Sequence, residues 1–209
     1  MTQHFSFVEG HDWMDKPHLT FDSEPHEYRI DGVLIPNVTG VIEEAGFSNF
    51  DFMDEETRAF ALKRGEAVHL VTQLYDEHTL NVDKLDPQLE PFLEAWIAFR
   101  QDKQFHPTHI EHRVYHPLYL YAGTLDRIGM MGEQYALLDI KTNKAEWWTA
   151  LQTAAYEACV GHGIPRYSVA LKENGRYKLT PYRDPSDFQD FVAALRTNHL
   201  RNTKGRHSV

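Results

Sequence analysis

The chain has 209 residues, 42% hydrophobic and 25% charged, a balance that suits one globular domain with a real core. Its single cysteine, Cys159, excludes an internal disulfide and any zinc or iron–sulfur site built on several thiolates. A formal net charge of −10 argues against a protein that coats nucleic acid indiscriminately.

No stretch approaches the roughly 18 apolar residues that a membrane span needs. The opening MTQHFSFVEGHDW lacks a basic flank followed by an apolar run. The expectation is a soluble cytoplasmic protein with no membrane partner. Charge is unevenly spread: residues 1–162 carry 27 acids against 12 Lys and Arg, and residues 163–209 carry 4 against 9. After Asp190 there is no acid, while Arg196, Arg201, Lys204 and Arg206 follow. That segment reads either as a solvated tail or as a basic arm along a phosphate backbone, with Arg196 and Arg201 as nucleic-acid contacts.

In chain order, residues 18–35 read as short strands, with Asp31-Gly32 as a hairpin turn. Asn37 or Thr39 opens a short helix through Ala45, ended by Gly46. Residues 54–78 read as a helix with Phe60, Val68, Val71 and Leu74 on its apolar face. Gly65 lies inside it, which costs about 1 kcal/mol relative to alanine and implies that something approaches closely. Asp86 is expected to cap a second helix, with Pro87 at its first position and Phe92, Trp96 and Phe99 following.

Residues 109–116, 122–131 and 134–142 read as three consecutive strands, 146–163 as a helix ended by Gly163, and 165–173 with 176–182 as a hairpin across Asn174-Gly175. A last helix is expected from about Pro185 to Leu200, capped by Asp184. The fold class is α/β (α+β), a central mixed sheet with a β-β-β-α-β core flanked by helices. The expected division is 1–52 as an N-terminal hairpin and short helix packed on the core, 53–200 as the main domain, and 201–209 as a basic tail.

The segment LLDIKT (137–142) reads as a buried strand, yet it carries Asp139 and Lys141 on one face. A turn at Gly132-Glu133, glycine first as a type II′ turn requires, sets Met131 opposite Gln134. That register sets Asp126 opposite Asp139, with β-carbons about 4.5–5.5 Å apart. Two facing carboxylates repel, and one lysine neutralises only part of their charge. A divalent cation relieves it, and hard oxygen ligands suit Mg²⁺ or Mn²⁺. The plain alternative is a salt-bridged patch on a solvent-facing sheet. Further polar residues surround the pair in sequence: Gln152 and Tyr156 four apart on the next helix, His69 one turn after Gly65, and Glu111 on the first core strand. Each has a plain alternative as a surface or satisfied core residue.

The ordered set of a helical histidine after RGEAV (64–68), GTLD (123–126), DIK (139–141) and QTAAY (152–156) resembles the PD-(D/E)XK nuclease superfamily in its RecB-like and lambda-exonuclease-like branch. The resemblance spans roughly residues 60–175. VTGVIEEAG (38–46) after a hairpin is similar to phage and mitochondrial single-strand exonucleases of this group. The strict Pro-Asp dipeptide is absent, since Leu125 precedes Asp126, and one cysteine cannot hold the iron–sulfur cluster of some relatives. The chain therefore resembles the cluster-free type.

The resemblance implies a restriction-endonuclease-like core and a phosphodiesterase site using one or two Mg²⁺ or Mn²⁺ ions. Asp126, Asp139 and the Ile140 carbonyl would hold metal, His69 would add a ligand, and Glu111 would ligate or orient water. Lys141 would polarise the attacking water, while Gln152 and Tyr156 would hold the scissile strand and steady the lysine. Trp147 or Trp148 would stack on a base or, on the plainer reading, serve as core or lid residues. The implied activity is an exonuclease acting on single- or double-stranded DNA ends in recombination, repair or phage replication. A recombination or single-strand-binding protein is among the expected partners. Two other classes stand beside it: a non-cleaving nucleic-acid or partner-binding module, and a metal-dependent hydrolase of small phosphoesters in a closed pocket.

Overall fold

The computed structural model describes residues 18–48, 54–161 and 163–204. The expected N-terminal division and basic tail lie partly outside them. A first sheet joins β1 (Leu19–Asp22), β2 (Glu27–Ile30) and β3 (Val33–Ile35) in that order, all antiparallel. Ile30 pairs with Val33 across Asp31 (φ 49°) and Gly32 (φ 80°), the two positive φ values that a type I′ turn needs. Helix α1 (Val38–Glu44) follows, with Asn37 as N-cap: its Oδ1 accepts the Gly40 N–H at 2.7 Å.

Helix α2 (Glu55–Asp76) is capped by Asp54. Val68 and Val71 are buried as the period predicts, but Phe60 is exposed. A short 3₁₀ turn (Val82–Lys84) leads to α3 (Glu90–Asp102). The Asp86-Pro87 start is corrected here. Asp86 Oδ1 accepts the Gln88 N–H at 2.9 Å and its carbonyl accepts Leu89 N–H, so it closes a turn of its own. The helix opens at Glu90 with Pro91 in its first turn.

The main sheet is ordered β4 (Phe105–His116), β5 (Tyr121–Met131), β6 (Gln134–Thr142), β7 (Arg166–Leu171), β8 (Tyr177–Tyr182). The β6–β7 pair is parallel and the others antiparallel. Helix α4 (Thr149–Val160) makes the β6-to-β7 crossover, shorter at both ends than its sequence suggests. Gly161 (φ 118°), rather than Gly163, ends it. Helix α5 (Asp187–Lys204) follows β8 and runs past Leu200.

Helices cover both faces. Phe92, Trp96 and Phe99 of α3 and Val68 of α2 pack on Leu138, Ile140 and Val169. On the other face, residues of α1, α4 and α5 pack on Leu125, Ile128 and Leu137. Strands buried on both sides explain why LLDIK reads as a nearly unbroken apolar run. Among the described residues, no helix is long and apolar enough to cross a membrane.

Candidate active site

The β5–β6 hairpin has the expected turn: Met131 pairs with Gln134, and of the two turn residues only Gly132 has a positive φ (62°). The register holds through Arg127↔Leu138 and the ladder stops there. The direct Asp126–Asp139 pair is therefore corrected. At that step the Asp126 side chain takes over from the backbone, its Oδ2 accepting the Ile140 N–H at 2.6 Å. The two acids still share one neighbourhood: the charges of both favour the Lys141 ammonium, and Asp139 adds to burial in pushing the Asp126 carboxyl upward.

Asp126 faces helix α2. His69 Nδ1 lies 3.7 Å from Asp126 Oδ1 and 3.7 Å from Glu111 Oε1. One ligand atom from each of His69, Glu111 and Asp126 lies within 4.8 Å of the others. His69 Nε2 is 3.0 Å from the Ile140 carbonyl. A proton on Nε2 satisfies that carbonyl and turns Nδ1 toward the acids, as in a metal-ligating histidine fixed through its second nitrogen. Two of the expected ligands, His69 and Ile140 O, are thus engaged with each other.

Glu111 reaches this cluster through an unusual backbone. It sits in the middle of β4 at φ 45°, between the pairs Ile110↔Arg127 and His112↔Leu125. A left-handed conformation costs a non-glycine residue about 1–2 kcal/mol. That cost is offset by what the side chain gains: Arg127 Nη1 donates to Glu111 Oε1 at 2.8 Å.

On the α4 side, the Lys141 ammonium donates to Asp139 Oδ1 at 3.1 Å and stands 3.0 Å from Oδ2. It also donates to Gln152 Oε1 at 3.1 Å and lies 5.4 Å from the centre of the Trp148 ring. Gln152 Nε2 donates in turn to Tyr156 Oη at 3.5 Å. Gln152 and Tyr156 are almost wholly buried. As placed, they steady Lys141 from within rather than reach a strand outside. Gly123 makes room for this arrangement, since a β-carbon there would lie 2.6 Å from Tyr156 Cε1.

The electrostatics follow from burial against crowding. Burial works against a charged His69, but Asp126 and Glu111 outweigh it and raise the imidazole to about 9. Asp126 is pushed up to about 7, by burial first and by Asp139 and Glu111 in addition. Burial also raises Glu111, but His69 and Arg127 overcome it and hold that carboxyl below its usual range. Lys141 stays an ammonium: Asp139 and Asp126 outweigh its burial.

Does this donor set suit a divalent cation? One imidazole nitrogen and two carboxylates converge, and a third carboxylate stands nearby. Asp139 Oδ2 is buried, with the Lys141 ammonium 3.0 Å away but no hydrogen bond made to it. A hard cation adds charge that one lysine does not supply and relieves the repulsion among the acids. The residues fit Mg²⁺ or Mn²⁺. Two cavities, of about 520 Å³ beside α2 and α3 and about 370 Å³ between α1, α5 and the small sheet, contain none of these residues.

Of the other expected residues, Trp148 is partly buried against the core and stands over Lys141. Trp147 is exposed, its ring 5.1 Å from that of Phe47. Arg196 and Arg201 lie on α5, which packs on α1 and α4. Arg201 donates to the Glu44 carbonyl at 3.2 Å, and among the described residues neither arginine is joined to the cluster. A β-carbon at Gly65 would meet nothing within 4 Å, so no part of the described protein explains that glycine.

The sequence reading missed Arg127 and Asp76. Both side chains are wholly buried and joined Nε to Oδ2 at 2.7 Å. The signal was present in LDRIG (125–129): an adjacent acid and base in a strand that reads as buried each need a partner.

No protein-family model matches this chain, and no curated protein matches it. Among solved structures, it is similar to the alkaline exonuclease LHK-Exo from Laribacter hongkongensis. Sequence identity is 16%, the match covers 60% of this chain and 78% of that one, and the TM-score is 0.33.

Proposed function

We propose that this chain is a divalent-metal-dependent nuclease of PD-(D/E)XK type that hydrolyses phosphodiester bonds at DNA ends. The observation that carries the reading is the convergence of His69, Glu111 and Asp126 within 4.8 Å, beside an Asp139–Lys141 pair whose lysine is held by Gln152. Fold-level similarity adds nothing to the chemistry.

His69, Glu111 and Asp126 would hold the cation, with the Asp139–Lys141 pair beside them. A bound Mg²⁺ or Mn²⁺ supplies Lewis acidity toward phosphate and lowers the pKa of water. The protein's own groups do the rest. Asp139 and Gln152 fix the Lys141 ammonium, which remains charged and can donate to a phosphate oxygen as negative charge grows there. The Lys141 and His69 side chains are 21% and 31% exposed, so a phosphate can reach them from solvent.

The test is digestion of end-labelled linear and closed circular DNA, single- and double-stranded, with Mg²⁺, with Mn²⁺ and with chelator. The expected result is metal-dependent loss of linear substrate with circular DNA spared. Retention of every DNA with both metals, despite a folded protein, would overturn the nuclease reading. Cutting of circular DNA would overturn the requirement for an end.

A further inference from the structure

Behind the candidate metal centre lies a second layer of charge. Arg127 is wholly buried, and its guanidinium is divided among several acceptors. Nε donates to Asp76 Oδ2 at 2.7 Å, and Nη2 donates to Thr72 Oγ1 at 3.2 Å. Nη1 donates both to Glu111 Oε1 at 2.8 Å and to the Asp126 carbonyl at 2.7 Å. Asp76 is itself held rigidly: its Oδ1 accepts from Trp96 Nε1 at 3.0 Å and from Arg100 Nη1 at 2.7 Å. Thr72 Oγ1 donates to the His69 carbonyl at 2.9 Å.

One guanidinium therefore touches the side chain of Glu111, the backbone of Asp126 and, through Thr72, the backbone of His69. Those are the three residues whose ligand atoms converge. Its planar fork makes these contacts in fixed relative directions, which an ammonium cannot copy. The geometry points to Arg127, anchored by Asp76, as the positioning residue that aims Glu111 into the metal centre against the left-handed backbone it occupies. This inference rests on reading the cluster as a divalent-cation site. Partners that orient metal ligands typically change affinity 10- to 100-fold when removed.

The test is a double-mutant cycle on Mn²⁺ affinity, measured by calorimetry on the full chain. The four proteins are wild type, Arg127→Lys, Glu111→Gln and the double variant, each checked for folding by circular dichroism. Arg127→Lys keeps the buried charge and so favours a folded product. Should it fail to fold, Arg127→Gln combined with Asp76→Asn removes both charges and enters the same cycle. Arg127→Lys is expected to weaken Mn²⁺ binding about tenfold in the wild-type background and less than about twofold once Glu111 is Gln. An equal loss in both backgrounds, or no loss in either, would show a merely structural role and overturn the proposal. Asp126→Asn separates the two levels of the argument. If wild type binds Mn²⁺ and Asp126→Asn does not, the metal reading stands whatever Arg127 does. If wild type binds none, both readings fail.

Discussion

His69, Glu111 and Asp126 crowd within 4.8 Å, Asp139 acts on Asp126 through its charge, and the chemistry of the site turns on how that crowding is relieved. Lys141 stands over Asp139 and its charge is shared with Gln152 and Trp148. Lys141→Met and Asp139→Asn should each lower DNA cleavage by at least about 100-fold, the scale for removing one group that meets developing charge. Circular dichroism should show the fold intact, and kcat should fall with kcat/KM, as for an interaction made in the transition state. Cleavage within a few-fold of wild type would remove these residues from the reaction.

The proton on His69 gives a second test at this scale. Its pKa is raised from 6.5 to about 9, so the folded chain holds a proton that the unfolded chain releases. The resulting stability is complete below about 6.5 and is lost as pH rises through 9. The raised pKa of Asp126 acts in the same sense, from 3.8 to about 7. In chelator, the melting temperature should therefore fall between pH 6.5 and 9, and His69→Gln should flatten that decline. Added Mn²⁺ should stabilise the chain more at the alkaline end, because ligation requires a deprotonated imidazole. A melting temperature that rises over this range would contradict the account.

At the scale of elements, two glycines make opposite predictions. Gly65 lies in the interior of α2 with open space where a β-carbon would stand. Gly65→Ala should stabilise the fold by about 0.5–1 kcal/mol in urea titrations. If cleavage falls while stability rises, the space over Gly65 belongs to the substrate; if both hold or improve, it does not. Gly123 is filled by the Tyr156 ring, so Gly123→Ala should cost about 1–3 kcal/mol of overpacking and disturb the Gln152–Lys141 contact.

Much of this level was legible in the sequence. The Asp31-Gly32 and Gly132-Glu133 turns set their registers by local chemistry, and period-two alternation placed Asp139 and Lys141 together. What failed was the step where local geometry yields to tertiary contacts. Asp126 leaves its ladder to bind the Ile140 N–H, and Glu111 turns left-handed under the pull of Arg127. Strand periodicity assumes a regular pleat, so it carries no information on either event. Asp86-Pro87 shows the same limit: its turn chemistry was visible, but the turn precedes the helix instead of opening it.

Across the whole molecule, the mixed sheet carries α2 and α3 on one face and α1, α4 and α5 on the other, and the site lies where β5 and β6 part. Helix α2 brings His69 to it and α4 brings Gln152, so neither helical layer alone completes it. The net charge of −10 sets a demand on such an enzyme, since an anionic protein repels a polyanion unless something local reverses the sign. Arg201 of α5 is spent on the Glu44 carbonyl. A divalent cation at the acid cluster would meet that demand. Metal should therefore strengthen DNA binding by a catalytically silent Lys141→Met variant more than an equal ionic strength of sodium does, read by fluorescence anisotropy.

The most direct measurement of the central claim is titration of Mn²⁺ into the folded wild-type chain and into Asp126→Asn, followed by calorimetry. The account predicts saturable binding to the wild type and its loss in the variant. Equal binding by both proteins, or none by the wild type at millimolar Mn²⁺, would contradict it.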